Sequence, residues 1–332
     1  MRAVCDNCGA EHMLFRSCRS RFCPRCQAKA RQTWLEEREA EVLPVPYFHV
    51  VFTVPEMLNV LALYCPEVFY AALLRAAGQA LLDVGRTKLK AQLGCLTILH
   101  TWGQNLLLHP HVHCVVPGGG FSFDWKRWLS VRNEKYLLPV EVLAARFRTL
   151  LIGALREAER EGKFDRLPRE VLPHTTIEGA SAQQWVVYVK PPFGGPQQVL
   201  EYLSRYTHRV AISNSRIEAF SDDQVTFRWR DYRDGNRTKH MTLTAIEFLR
   251  RFLLHILPDR FVRIRYFGFM ANRKRAENIK LARHLIGRRI PERVTQSSPA
   301  RVLCPACYAL IAARRTRPPR ALVRPPPVER TA

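Results

Sequence analysis

Apolar residues recur along this chain with two periods, and the change from one period to the other marks the predicted elements. Alternation, or a short run of β-branched and aromatic residues, predicts a strand. A spacing of three and four predicts a helix that buries one face. The predicted strands cover 47–53, 96–102, 111–116 and 185–190, and a hairpin joins 225–230 to 239–243 across 234–236.

The helical period predicts helices over 31–42, 56–92, 138–162, 197–209 and 245–257. Helices interspersed with strands that have plausible antiparallel neighbours predict an α+β fold, with a central and mainly antiparallel sheet flanked by helices. A Rossmann fold is not expected, because no predicted strand leads into a glycine-rich phosphate-binding loop. Arg and Pro dominate 312–328, which predicts a disordered basic tail.

Charge points to a polyanionic partner. The chain has 332 residues and carries 52 Lys and Arg against 29 Asp and Glu, a formal net charge of +23. Such an excess favours nucleic acid, although proteins of ribosomes or membrane surfaces are also basic. The N-terminus lacks an apolar signal segment, so we expect an intracellular, soluble protein whose cysteines stay reduced or bind metal.

Two Cys-x-x-Cys knuckles near the N-terminus predict a structural Zn²⁺ site. The four thiols are those of Cys5, Cys8, Cys23 and Cys26, with Cys18 and His12 as further candidates. Paired knuckles at this distance can supply the tetrahedral thiolate set that zinc prefers, and buried free thiols are the alternative. Between the knuckles, Arg19 and Arg21 suit phosphate contacts.

The remaining cysteines give weaker signals. A third knuckle, Cys304 with Cys307, has no partner nearby in the sequence, so both a second zinc ribbon and no function stay open. Cys65, Cys95 and Cys114 lie in apolar runs and are interpreted as core thiols.

A His-apolar-His strand predicts a second metal site. Since side chains alternate along a strand, His111 and His113 point to one face while Val112 points into the core. Gln104, expected on the preceding strand segment, can add an oxygen ligand. Such a set leaves positions open for phosphate and water. Imidazole suits Zn, Mn, Co or Ni better than Mg, so these residues alone do not name the metal. Satisfied core histidines are the alternative.

Tyr202 and Tyr206 are four residues apart on the predicted 197–209 helix, so both phenols share one face. Packing against the sheet is the common fate of such a pair. Here Arg205 and Arg209 accompany them, and cationic groups are what a phenol needs in order to attack a phosphodiester. A phosphotyrosine conserves the energy of the broken bond, so the DNA strand can be rejoined without ATP.

Taken together, the motifs resemble the rolling-circle, two-tyrosine HUH transposases of bacterial insertion sequences. The resemblance runs from Cys5 to about Arg275. It includes the stretches 17–27, 43–53, 100–104, 109–120, 190–196, 202–213 and 261–265. It implies an HUH endonuclease domain in which His111 and His113 bind Mg²⁺ or Mn²⁺, and it places Gln104 where related enzymes have a polar third ligand.

The resemblance also implies that Tyr202 and Tyr206 form 5′-phosphotyrosine links to single-stranded DNA, and that a zinc-binding domain helps to recognise the ends of the element. The corresponding division is 1–40 for zinc binding and DNA recognition, 41–275 for catalysis, and 276–332 for a basic C-terminal region. The partners implied are single-stranded DNA and element-end DNA, with no membrane.

Two other functions remain open from the sequence. A plasmid replication initiator or mobilisation relaxase uses the same chemistry at a plasmid origin. A non-catalytic, zinc-dependent DNA-binding protein would share the basic charge and the cysteine knuckles, but would form no covalent adduct with DNA.

Overall fold

The computed structural model describes residues 2–4, 8–13, 24–190, 211–231 and 234–287. The chain divides into two units, one of residues 1–20 and 291–332 and the other of residues 21–290. In the first unit, β1 (Arg2–Val4) pairs antiparallel with β2 (Glu11–Met13). Gly9, between these strands, has φ of +71°, a left-handed conformation that glycine adopts without strain.

A five-stranded sheet organises the second unit. Its strands are β3 (Tyr47–Thr53), β4 (Gly94–Trp102), β5 (Leu108–Pro117), β8 (Val187–Lys190) and β12 (Ile264–Gly268). The spatial order is β12-β4-β5-β3-β8, and every neighbouring pair is antiparallel. The predicted α+β fold with an antiparallel central sheet is therefore confirmed.

Alternation along β5 sends its side chains to two different cores. Val112, Cys114 and Val116 belong to the larger hydrophobic cluster, whereas Val115 belongs to a smaller one on the other face. β4 is buried at every position, as expected for an inner strand covered on both faces. The face of β5 opposite the larger cluster is therefore the one that carries His111 and His113.

Helices cover both faces. The second unit contains α1 (Pro24–Ala40), α2 (Asn59–Tyr64), α3 (Pro66–Lys88), α4 (Val140–Arg160) and α5 (Pro173–Ala182). α3 and α4 pack on the larger cluster, where Phe52 and Phe147 lie 4.8 Å apart between ring centroids. Cys65, Cys95 and Cys114 are buried in this cluster, which confirms their interpretation as core thiols.

The opposite face is covered by Trp34 of α1 and by Ile279 of α7 (Arg275–Ile286). A small hairpin completes it, formed by β6 (Gly119–Phe121) and β7 (Trp128–Ser130). Phe121 packs there edge-on against Phe269, with ring centroids 5.3 Å apart. The histidine-bearing side of the sheet is therefore also a packed layer.

A separate three-stranded sheet lies between β8 and β12 along the chain. It consists of β9 (Ile217–Ser221), β10 (Gln224–Asp231) and β11 (Arg237–Thr244), and it leads into α6 (Ala245–Leu253). Thr244 caps α6, because its Oγ1 accepts a hydrogen bond from the Glu247 amide at 3.2 Å. The predicted hairpin between the second and third of these strands is confirmed.

The other predicted elements have mixed outcomes. The strand and helix predictions for 47–53, 96–102, 111–116 and 138–162 are confirmed within a few residues. α1 begins earlier than expected and α6 ends earlier, while α5, β9, β12 and α7 were not predicted. The 197–209 helix and the basic tail lie outside the described residues.

One helix in the described part of the chain, α3, is long and apolar enough to cross a membrane, and 61% of its most apolar window is buried within the protein.

Candidate metal centre and family

Three buried histidines meet on two adjacent strands of the central sheet. His111 and His113 lie on β5, and His100 lies opposite His111 on β4. One ligand nitrogen from each residue can be chosen so that all three atoms lie within 4.8 Å of one another. The predicted pairing of His111 with His113 on one face is therefore seen, together with a third imidazole.

Hydrogen bonds orient this His cluster, which we define as His100, His111 and His113. His111 Nδ1 lies 2.7 Å from the backbone carbonyl of His109, which can only accept. Since a neutral imidazole has one N–H, this contact leaves His111 Nε2 as an acceptor. His100 Nδ1 lies 2.7 Å from that nitrogen. The nitrogen of His111 that points into the cluster is thus the unprotonated one, as a metal ligand requires.

A fourth histidine supports the cluster from the neighbouring strand. His49 on β3 is buried, and its Nε2 lies 2.8 Å from His113 Nδ1. The two rings stack with centroids 5.0 Å apart. His49 was not among the predicted site residues, although a histidine inside the apolar strand predicted over 47–53 gave a signal. An imidazole held in this way directs the other nitrogen of His113 toward the cluster.

Burial keeps these imidazoles neutral. It lowers the pKa of His111 to about 3 and the pKa of His49 to about 4. Burial also holds the pKa of both His100 and His113 well below the usual value. Because only neutral imidazole coordinates a cation, the cluster is in its ligand form at neutral pH. The donor set therefore fits a divalent metal ion.

Gln104 does not lie on a strand. β4 ends at Trp102, and Gln104 occupies the turn before β5, so its expected place on the strand segment was wrong. Gly103 closes this turn by donating its amide to the Leu107 carbonyl at 3.0 Å. The backbone carbonyl of Gln104 accepts a hydrogen bond from Arg216. Ligation by the Gln104 side chain stays a prediction.

Most of the other predicted site residues lie outside the described part of the chain. This holds for Tyr202, Tyr206, Arg205, Arg209, Cys5, Cys18, Cys23, Arg19, Arg21 and the third knuckle at Cys304 and Cys307. Of the first knuckle the structure places Cys8, which is exposed, and of the second it places Cys26, within α1. Their predicted roles are neither supported nor opposed by the geometry.

Two protein families match this chain, and together they cover the region that contains the His cluster. Residues 94–277 match a family described as putative transposase, and residues 1–54 match a transposase zinc-binding domain. This chain belongs to that transposase family. The 94–277 match begins with β4 and so includes all three histidines of the cluster. The transposase of a bacterial insertion sequence, inferred from the motifs, is therefore confirmed.

Individual relatives agree with the family. The transposase is 45% identical to a putative transposase, y4qJ, of Sinorhizobium fredii, over 92% of this chain and 82% of that protein. It is 29% identical to the transposase for insertion sequence element IS801 of Pseudomonas savastanoi pv. phaseolicola, over 81% of this chain and 66% of that protein.

Solved structures give a more distant likeness. The conjugative relaxase TrwC in complex with oriT DNA is 13% identical and covers 48% of the transposase and 71% of the relaxase, with a TM-score of 0.26. Its metal-bound structure is 12% identical, with coverages of 49% and 71% and the same TM-score of 0.26.

Proposed function

We propose that this transposase nicks and rejoins single-stranded DNA through 5′-phosphotyrosine intermediates during rolling-circle DNA transposition. The observation that carries the proposal is the His cluster, whose ligand atoms lie within 4.8 Å of one another inside the region that matches the transposase family. Buried, neutral imidazoles that converge from two strands offer the ligand nitrogens that a divalent ion needs. A DNA-processing enzyme can use a divalent ion at such a site to act on the scissile phosphate.

We further propose that His100, His111 and His113 hold the catalytic divalent ion, Mg²⁺ or Mn²⁺, with Gln104 as the alternative third ligand. Bound there, the ion would polarise the scissile phosphate and stabilise the charge that develops during attack. The residues of the chain supply the rest. The His109 carbonyl and His49 fix two ring orientations, and burial of the three imidazoles limits their contact with water.

Tyr202 and Tyr206 are the proposed nucleophiles. The phenol oxygen of one tyrosine bonds to the scissile phosphorus while the bond from phosphorus to the 3′ oxygen breaks. The phenol loses its proton to solvent, and the departing 3′ oxygen takes up a proton to become a hydroxyl group. Attack by a 3′ hydroxyl on the phosphotyrosine reverses the exchange and rejoins the strand. Arg205 and Arg209 are proposed to favour the phenolate and to bind phosphate.

The N-terminal region is proposed to recognise the ends of the element. Its zinc would be held by cysteines drawn from Cys5, Cys8, Cys18, Cys23 and Cys26, and Arg19 and Arg21 would contact phosphates. The proposed division keeps residues 1–40 for this role, 41–275 for catalysis and 276–332 as a basic C-terminal region. The match of 1–54 to a transposase zinc-binding domain supports the first of these assignments.

Covalent capture tests the proposed reaction. A single-stranded oligonucleotide from the element's end, labelled on the 3′ side of the expected nick, is incubated with protein and Mn²⁺ or Mg²⁺ and run on a denaturing gel. We expect a labelled band at the mass of the protein. The band should disappear in the Tyr202→Phe, Tyr206→Phe double variant, and the single variants should rank the two phenols.

The same gel separates the competing functions. Tight DNA binding with no adduct under any metal condition would favour a non-catalytic DNA-binding protein. An adduct that forms only on plasmid-origin sequences would favour an initiator or relaxase. The His111→Ala, His113→Ala variant should lose the adduct and keep its DNA binding, because the two imidazoles are proposed to act on chemistry alone.

A further inference from the structure

An arginine-lined groove runs along β12, the edge strand of the central sheet. Its volume is about 420 Å³, and it is lined by Arg75, Arg265, Tyr266 and Asn272 together with apolar side chains of β12 and the residues next to it. Arg75 comes from α3, whereas the other three come from β12 and the turn after it. The groove therefore joins a helix to a strand edge.

Two guanidinium groups face this groove without a carboxylate among its lining residues. Burial and the charge of Arg75 lower the pKa of Arg265. The Arg265 side chain is held in place, since its Nε donates to the Val262 carbonyl at 3.3 Å and its guanidinium lies over the Phe261 ring at 5.4 Å. By contrast, neighbouring Arg275 pairs with Glu41 at 3.0 Å. Two positive charges close together, one of them held in place, favour an anion.

The groove suits phosphates better than bases. A base would need an open aromatic face for stacking. The Tyr266 ring is covered by Arg275, whose guanidinium carbon lies 4.2 Å from the ring centroid. Phe267 is turned to α3, where it packs close to Gly78. The groove thus offers charge and amide groups and no free ring.

The groove lies near the His cluster. The Leu99 amide donates to the Arg263 carbonyl at 2.9 Å, so this part of the chain runs beside the residue that precedes His100. Arg265 pairs with Thr97, three residues from His100 along β4. Standard strand spacings place the Arg265 backbone about 11 Å from that of His100. Residues paired across a ladder share a face, so Arg265 lies with Thr97 on the α3 face of the sheet, whereas His100 points to the opposite face. A DNA strand that contacts both places has to pass around the β12 edge, which is the outer edge of the sheet.

We propose that this groove binds backbone phosphates of a DNA strand that passes around the β12 edge of the sheet toward the His cluster, irrespective of base sequence. The proposal rests on the proposed function, since it takes the scissile phosphate to lie at the cluster. It assigns Arg75 and Arg265 to DNA binding, in addition to the arginines proposed above.

Two double variants of equal charge test the groove. Arg75→Gln with Arg265→Gln removes the lining charges. Arg148→Gln with Arg169→Gln removes two exposed charges elsewhere, one of them on α4, which packs toward β8 at the opposite edge of the sheet. Binding to two single-stranded oligonucleotides of unrelated sequence is measured by fluorescence anisotropy over a range of salt, with no Mg²⁺ or Mn²⁺ added.

We expect the groove variant to bind both oligonucleotides about tenfold more weakly than the control variant at about 0.15 M salt. Its slope of log K against log salt should be shallower by about 1.4, which corresponds to two lost phosphate contacts on a single strand. Arg75→Gln alone, on an exposed helix position, should shift both quantities in the same direction by about half.

Equal affinities for the groove and control variants would overturn the proposal, as would a loss confined to one oligonucleotide sequence. Covalent capture separates this failure from failure of the proposed function. If the wild-type protein forms the tyrosine adduct and the groove variant binds like the control, only the groove assignment falls. If the wild-type protein binds no DNA, both fall.

Discussion

His100 changes the proposed metal ligands more than any other residue in the described structure. With His100, the proposed ion is bound by three imidazoles instead of by two imidazoles and an amide oxygen. It faces His111 across the ladder between β4 and β5, and its Nδ1 lies 2.7 Å from His111 Nε2. Three nitrogen ligands favour Mn²⁺ over Mg²⁺ in affinity.

Replacing the third ligand tests this set. His100→Ala should lower the rate of DNA cleavage at least about 100-fold and weaken Mn²⁺ binding, because a buried ligand is lost. Gln104→Ala should stay near the wild-type rate, and the exposed His174→Ala serves as a control. Single-turnover cleavage and calorimetric Mn²⁺ titration supply the measurements. A defect in Gln104→Ala with normal His100→Ala would restore the amide as third ligand.

His255 predicts a pH dependence of stability. It is buried between Thr101 and the Leu106 carbonyl, to which its Nε2 donates at 3.0 Å, and burial lowers its pKa to about 4. Between pH 6.5 and about 4 the unfolded chain binds a proton that the folded chain does not, so stability falls as the pH falls through this window.

His255→Gln keeps a donor for the Leu106 carbonyl and removes this titration. Between pH 7 and pH 4 the wild-type protein should lose about 3 kcal/mol more stability than the variant. Urea unfolding at a series of pH values gives the comparison. Parallel pH profiles for the two proteins would show that His255 does not contribute.

The sequence predicted the metal site in part, for a physical reason. Alternation within one strand is a local property, so it placed His111 and His113 on one face. The partner of His111 across the ladder depends on register, which the β4–β5 turn determines. A register shift between His100 and Trp102 adds an irregularity that no spacing rule supplies. His100 was therefore passed over in favour of Gln104, and His49 was not singled out.

At the scale of elements, the sheet depends on close contact between α3 and β12. A Cβ added to Gly78 of α3 would lie 2.5 Å from the Phe267 ring of β12. In α4, by contrast, a Cβ on Gly153 would meet nothing within 4 Å. The two helical glycines therefore have different effects. Gly78 allows α3 to pack closely against β12, whereas Gly153 only lowers the helix propensity of α4.

This contrast predicts opposite effects of the same substitution. Gly78→Ala should destabilise the fold by about 1–2 kcal/mol, because the ring or the helix must shift. Gly153→Ala should stabilise it by about 0.5–1 kcal/mol through helix propensity. Urea unfolding of the two variants beside the wild-type protein checks both signs. A gain in both would mean that α3 and β12 do not pack as described.

Elements were predicted well where their own pattern is strong. β3 is a run of aromatic and β-branched residues, β5 has a His-apolar-His alternation, and α4 has a helical period. The turn at 234–236 marks the hairpin of β10 and β11. β12 was missed as a strand because Ile264–Gly268 mixes polar and apolar residues and takes its place only by pairing with β4, which is far away in sequence. Long-range pairing of that kind leaves little local signal.

At the scale of the whole molecule, zinc is expected to act on recognition more than on chemistry. Cys23→Ser should release zinc and weaken binding to element-end DNA, because a tetrahedral site does not survive the loss of a thiolate. Adduct formation on an excess of single-stranded oligonucleotide should change less. Zinc content, measured by elemental analysis, and the two DNA assays test this together. A variant with full zinc content would refute Cys23 as a ligand.

The distance along the chain between β4 and its partner β12 also has a consequence during synthesis of the protein. β4 is buried at every position in the finished sheet, yet its outer neighbour, Ile264–Gly268, follows it far along the chain. During synthesis β4 remains an apolar, unpaired edge until that segment leaves the ribosome. Such edges pair readily with other chains. A copy of the gene interrupted between β11 and β12 would thus yield protein that aggregates, and it would give no folded transposase even though all three histidines of the cluster are intact.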